Sequence, residues 1–400
     1  MSLFAAVEMA PGDPILGLVE TFVADPRPAK INLGIGVYLD EQGRIPLLAS
    51  VHEVEQALAL AAAPRSYLPI DGLPAYNRLT QRLLFGADAP LLAAGRVATA
   101  QTIGGSAALR VGADVLKQLL GEQAQVALSD PSWGNHQVVF RAAGFAVRSY
   151  RYFDAATHGL DFAGMLEDLA QLDAGSVVLL HACCHNPTGV DLNAAQWQQV
   201  IELLHARDLL PFVDMAYQGF AQGLAADALV LRLLAQSPLR AFVVANSYSK
   251  SFSLYGERVG ALSMVGTDSA EAARLLSRMK QTIRTIYSSP ATHGGALVAG
   301  VLGSPELRAR WEQELGAMRA RIHAMRAGFV ERLAAHGAPQ FGFINQQAGM
   351  FSYSGLSRAQ VHRLRDEFAI YALDSGRICV AALSLGNLDA VATAVASVSR

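Results

Sequence analysis

The sequence predicts an α/β protein whose larger domain holds a mostly parallel central sheet and whose smaller domain is α+β. Three observations lead there. Short apolar runs punctuate the middle of the chain at Val97–Gln101, Gln125–Ser129, Ala146–Tyr150, Val177–His181, Leu210–Asp214, Ala241–Ser247 and Gly260–Val265. Helix-like stretches such as Ala107–Leu120, Ala194–Ala206 and Glu271–Ile283 lie between them. Strand–helix alternation with near-continuous apolar strands is the pattern of a parallel sheet covered on both faces. Third, a single long amphipathic pattern follows, of a length that joins two lobes.

That pattern begins at Ser304-Pro305-Glu306, a capping residue followed by proline at the first helical position. Apolar residues then recur at Leu307, Trp311, Leu315, Met318, Ile322, Met325, Phe329 and Leu333, and the pattern stops at Gly337. Steps of three and four predict one helix of roughly 45 Å. Beyond it the sequence predicts β-like segments at Phe341–Ile344 and Met350–Tyr353, a helix at Arg358–Glu367, a strand at Arg377–Ala381 and a final helix. Pro11, Pro14, Pro26 and Pro28 make the stretch up to Tyr38 read as extended, packed on the smaller lobe or on another subunit. The expected division is residues 42–310 for the large domain, and residues 1–41 with 311–400 for the arm and small domain.

A chain of 400 residues exceeds one small core. With 52% apolar and 16% charged residues, both a large core and buried subunit surface are expected. A net charge of −2 without blocks of like charge argues against a nucleic-acid partner. Cys183, Cys184 and Cys379 form no CxxC pair, so neither a disulfide framework nor a metal site is expected. Met1–Ala10 lacks a basic start and Glu8 interrupts it, unlike a signal peptide. No run approaches the ~20 apolar residues that span a bilayer. The expected location is the cytoplasm.

In sheets of this kind ligands bind beyond the carboxyl ends of the strands, so the residues ending each apolar run matter most. Asn246-Ser247-Tyr248-Ser249-Lys250 places a lysine among hydroxyls, with Arg258 shortly after. Such a lysine can form a Schiff base when its charge is suppressed, and the hydroxyls and guanidinium suit a phosphate. Alone, it reads more readily as a surface lysine. Asp214 and Tyr217 end a second strand. An acid there suits the pyridine nitrogen of pyridoxal phosphate and a phenol suits its ring oxygen, although an ordinary turn aspartate fits equally. His185-Asn186-Pro187-Thr188-Gly189 offers an amide donor and is also a good turn. Gly104-Gly105-Ser106 before a helix can present amides to phosphate but matches no nucleotide fingerprint. Trp133 can stack on a flat ring or fill a core.

Together these strings resemble one family. Ser249-Lys250 with Gly256-Glu257-Arg258-Val259-Gly260, His185–Gly189 and Asp214-Met215-Ala216-Tyr217-Gln218-Gly219-Phe220 are similar to the aspartate/aromatic aminotransferases of fold type I, class I. So are Asp13-Pro14-Ile15-Leu16-Gly17-Leu18, Tyr67–Gly72 and Ser375-Gly376-Arg377, so the likeness spans the chain in order. It is nearest the bacterial aromatic (tyrosine) branch. The resemblance implies a homodimeric enzyme with shared sites that uses pyridoxal phosphate. It implies that Lys250 carries the cofactor as a Schiff base and shuttles the proton. Asp214 meets the pyridine nitrogen with His136 behind it, Asn186 and Tyr217 bind the ring oxygen, and Trp133 stacks on the ring. Gly105, Ser106, Ser247, Ser249 and Arg258 hold the phosphate, joined by Tyr67 of the second subunit. Gly36 lies among the substrate contacts, Arg377 grips the substrate α-carboxylate, and Arg284 reaches the neighbouring site to bind a distal carboxylate. Ala107 replaces the family's usual fourth residue of the phosphate turn, glycine, and being small is expected to leave phosphate binding intact.

Leu39, Ile45 and Ser289 stand at positions on the pocket rim where the family separates aspartate users from aromatic users. Two apolar residues and one small one favour an aromatic side chain, while Arg284 still admits aspartate. The expected reaction is therefore ping-pong exchange of amino groups between tyrosine, phenylalanine or aspartate and 2-oxoglutarate. Three alternatives stand beside it: an aspartate-specific aminotransferase, a lyase or decarboxylase on the same fold, and a silent cofactor-binding regulator. The pairing of Arg377 with Arg284 argues against the lyase, and the absence of a spare basic segment argues against the regulator.

Overall fold

A computed structural model describes residues 2–9, 12, 16–64 and 66–400. Residues 13–15 of the N-terminal string, Met1 and Ala10 of the leader reading, and Pro11 and Pro14 lie outside the described residues.

Seven strands form the central sheet: β1 (Val97–Ile103), β2 (Gln125–Asp130), β3 (Ala146–Arg151), β4 (Val177–His181), β5 (Leu210–Met215), β6 (Phe242–Ser247) and β7 (Val259–Val265). Their order is β1-β7-β6-β5-β4-β2-β3. Only β7 runs against its neighbours, pairing antiparallel with both β1 and β6. Every other contact in the sheet is parallel. The expectation of a mostly parallel sheet therefore holds, and β7 has a specific consequence. It begins where the other six end, so Arg258 is delivered to their carboxyl ends. Residues of β4, β6 and β7 are buried throughout, because helices cover both faces. β3 is an edge strand, and Arg148 and Arg151 break its apolar run where a further strand would otherwise dock.

The long helix runs from Pro305 to Ala335, about 46 Å at 1.5 Å per residue. Ser304 Oγ accepts the Leu307 amide, so the cap is where the sequence put it. Its buried stripe is Trp311, Leu315, Met318, Ile322, Met325, Phe329 and Leu333. Trp311 ties this helix to the lysine loop. Its ring stacks on Phe252 with centroids 4.4 Å apart, and its Nε1 donates to the Ser251 carbonyl at 2.7 Å. Trp311→Ala should therefore cost about 3–5 kcal/mol from the cavity and the lost bond, read as a lower urea midpoint at unchanged slope.

Three local expectations need correction. Phe341–Ile344 is not β-like but lies within a 3-10 turn, Pro339–Gln346. Pro339 withholds a ladder donor, and a spacing of three puts Phe341 and Ile344 together in the core. The strand at Arg377 ends at Cys379 and turns into a second 3-10 segment, Val380–Ala382. The N-terminal stretch is not extended throughout, since Leu16–Ala24 is helical. Proline restricts itself and the residue before it, and this run has none. Ile31–Asn32 then pairs parallel with Ile370–Tyr371, which brings the N-terminal segment onto the C-terminal part as expected. Among the described residues no helix is long and apolar enough to cross a membrane.

Candidate active site

A cavity of about 280 Å3 opens at the carboxyl ends of β1, β2, β4, β5 and β6. It gathers Gly36, Gly105, Ser106, Trp133, Asn186, Asp214, Tyr217, Ser247, Ser249, Lys250, Arg258 and Arg377.

 

The residues come from the turns that follow five strands, together with Gly36 near the start of the chain and Arg377 near its end.

Backbone geometry shapes the phosphate turn. Gly104 sits at φ 88°, and a Cβ there would fall 2.5 Å from Arg258 Nη2. A Cβ on Gly105 would lie 3.0 Å from that of Ser247. The helix α1 (Gly105–Leu120) starts two residues earlier than expected and sets Gly105 against Ser247, whose hydroxyl donates to Ser249 Oγ at 3.1 Å. Arg258 Nη1 reaches Ser249 Oγ at 3.4 Å. Ala107 lies in the first helical turn, away from the positive-φ position that requires glycine.

Asp214 is buried at the end of β5. Its Oδ2 accepts from His136 Nε2 at 3.0 Å, and His136 Nδ1 meets Ser132 Oγ at 2.9 Å. Burial pushes the carboxyl up, but the His136 bond and nearby positive charge outweigh it, so Asp214 stays ionised. His181, paired with Asp214 in the sheet, is pushed down to about 3 by burial and by His136, so it is a neutral neighbour.

Lys250 is half-buried, with its Nζ 4.9 Å from the Tyr217 ring centroid. Its pKa falls to about 8, chiefly through burial and then through Arg258 and Arg377, against the pull of Asp214. In cofactor-free protein the neutral amine should thus grow in through pH ~8 rather than above 10. The rate of Lys250 acylation against pH, read by peptide mass spectrometry, checks this; a midpoint near 10 would contradict it.

Arg377 is 3% exposed, and among the described residues no carboxylate lies within ion-pair distance of it. Its Nη1 donates to Asn186 Oδ1 at 3.1 Å, its Nη2 donates to the Gly34 carbonyl at 2.8 Å, and its guanidinium lies 4.1 Å over the Phe351 ring. Nε has no partner. A buried cation without a counter-charge is costly unless an anion joins it, and a substrate carboxylate is such an anion. A wider cavity of about 940 Å3 shares Trp133, Asn186 and Arg377 with the first.

The structure does not bring every expected residue to this cavity. Tyr67 is 94% exposed. Arg284 is exposed on α2 (Ser269–Ile286) and bonds to Ser288 Oγ. Leu39, Ile45 and Ser289 do not line the cavity of their own chain. Sequence reasoning missed Leu109, Ala216, Tyr255 and Phe351. Leu109 was within reach, one helical turn beyond Gly105. Phe351 had no polar group to flag it. Cys183 and Cys184 are buried, and their thiols are pushed up, Cys183 by its bond with Cys184 and by burial, Cys184 by burial to about 11. They act as packing.

The sequence profile of aminotransferase class I and II matches residues 28–395. The chain belongs to this family. It is 60% identical to an aspartate aminotransferase of Pseudomonas aeruginosa, with 100% of both chains covered. It is 50% identical to an aromatic-amino-acid aminotransferase of Escherichia coli, covering 99% of this chain and 100% of the other. The crystal structure of an aromatic-amino-acid aminotransferase from Burkholderia pseudomallei, covalently bound to pyridoxal phosphate, superposes with a TM-score of 0.97 at 60% identity and 100% coverage of both. The aminotransferase is an enzyme of the fold expected from its sequence, and its family's cofactor is pyridoxal phosphate. The residues present fit that group: a lysine of lowered pKa, an ionised buried aspartate, and a glycine turn packed so closely on Arg258 and Ser247 that a Cβ would clash there.

Proposed function

We propose that this aminotransferase exchanges the amino group of aromatic amino acids and of aspartate with 2-oxoglutarate, in two half-reactions, as a homodimer that shares its sites. The observation that carries the reading is the buried Arg377 guanidinium without a carboxylate partner, facing a site that also holds Lys250 and Asp214.

Arg377 binds the substrate α-carboxylate and fixes which Cα bond faces Lys250. Gly36 leaves room beside it, since a Cβ there would come 3.3 Å from Phe351 Cζ. Pyridoxal phosphate supplies an electron sink for the carbon that loses its proton. Asp214, kept ionised and aimed by His136, would hold negative charge against the pyridine nitrogen of the bound group. Asn186 and Tyr217 would donate to the ring oxygen, while Trp133 would cover the ring and exclude water. Ser106, Ser247, Ser249, Arg258 and the Gly105 amide would hold the phosphate. Lys250 Nζ, its basicity lowered by desolvation, would accept the proton that leaves the substrate Cα and hold it for return.

Tyr67 and Arg284 support the dimer reading because both are exposed and lie away from their own cavity. In that reading Tyr67 completes the partner's phosphate site and Arg284 its distal carboxylate site, with Leu39, Ile45 and Ser289 at the rim. Residues 42–310 act as the large domain, with the remainder as arm and small domain.

The test is a stopped-flow half-reaction of the cofactor-loaded enzyme with phenylalanine, tyrosine and aspartate. All three should bleach the cofactor absorbance, and aspartate alone doing so would sink the aromatic reading. Arg284→Leu should lower kcat/KM for aspartate by about 30-fold or more while leaving phenylalanine within a few-fold, as expected for loss of one desolvated charge pair.

A further inference from the structure

A second cavity of about 630 Å3 lies outside the reaction site, between the helices Pro74–Phe85 and Leu229–Gln236 and the long helix. Its lining includes Arg82, Arg232, Arg308 and Arg319 against one carboxylate, Glu312. Glu312 is taken by Arg308, at 3.0 Å. Among the described residues, Arg82, Arg232 and Arg319 have no ion-pair partner. The whole chain carries 32 basic and 34 acidic residues, so this local excess runs against its average.

We propose that this cavity binds a small phosphate-class anion carrying two or more negative charges. Guanidinium groups present forked donors that match phosphate oxygens, and several around one hollow concentrate positive potential there. Arg319 is already fixed, since its Nη1 donates to the Gly219 carbonyl at 2.8 Å. Gly223 leaves the wall open beside it, its added Cβ falling 3.8 Å from Arg319 Nη1. Arg82 and Arg232 enter from the two flanking helices, so the charges converge from three elements. The loop fixed by Arg319 begins at Tyr217 of the reaction site, and Asp227 accepts the amides of Gly219, Ala221 and Gln222 to hold its shape.

Calorimetric titration of the cofactor-loaded enzyme with inorganic pyrophosphate, at ionic strength held constant with sodium chloride, tests the site. Loading keeps the cofactor's own phosphate site filled. Saturable binding of one anion per chain is expected, with affinity falling about tenfold in Arg232→Gln and again in Arg82→Gln and the cofactor absorbance unchanged. No saturable binding would overturn the proposal. Binding that both variants leave intact would also overturn it, by placing the anion elsewhere.

Discussion

Lys250→Ala should abolish turnover, by about 10^4-fold or more in kcat, while the protein still folds and holds its cofactor. The reason is that one side chain serves two steps. Its amine is the nucleophile buried against Tyr217, and it is also the group placed to move the proton at Cα. The Asp214, Ser249 and Arg258 contacts do not depend on Nζ, so cofactor retention should survive and is visible in the absorption spectrum. Added small amines should restore part of the proton transfer. Activity within tenfold of wild type would mean that another base serves the reaction.

Asp214→Asn should lower kcat by roughly 10^3-fold, the scale of losing a buried electrostatic partner. The substitution keeps the shape but removes the charge that His136 and the surrounding cations hold ionised. KM for aspartate should change little, because Arg377 is untouched. A split in which KM rises and kcat is preserved would assign Asp214 to substrate binding. Solvent and substrate deuterium effects on kcat should increase in the variant if proton removal has become slow.

Much of this was legible in the sequence because strand-terminal positions are readable. Asp214, Lys250 and Asn186 each follow an apolar run, and a parallel sheet puts the ends of such runs on one edge. The long helix was legible in cap, stripe and stop because its pattern repeats over eight turns. The 3-10 turn at Pro339–Gln346 was not, since so short an apolar run as Phe341–Ile344 does not choose between periods of two and three. Phe351 was not, because an aromatic ring gains its role only from the cation that lies on it.

The sequence by itself determined the element order, the parallel character of the sheet and the chemical inventory of the site, because periodicity and residue type are local properties of the chain. Tertiary structure decided what those groups become. It desolvated the Lys250 amine and so lowered its pKa, it left Arg377 without a counter-charge, and it reversed β7 so that Arg258 meets the phosphate turn. It also set Tyr67 and Arg284 facing outward, away from the cavity of their own chain. Each of these depends on desolvation and on distances between residues far apart in the sequence, which no local pattern encodes.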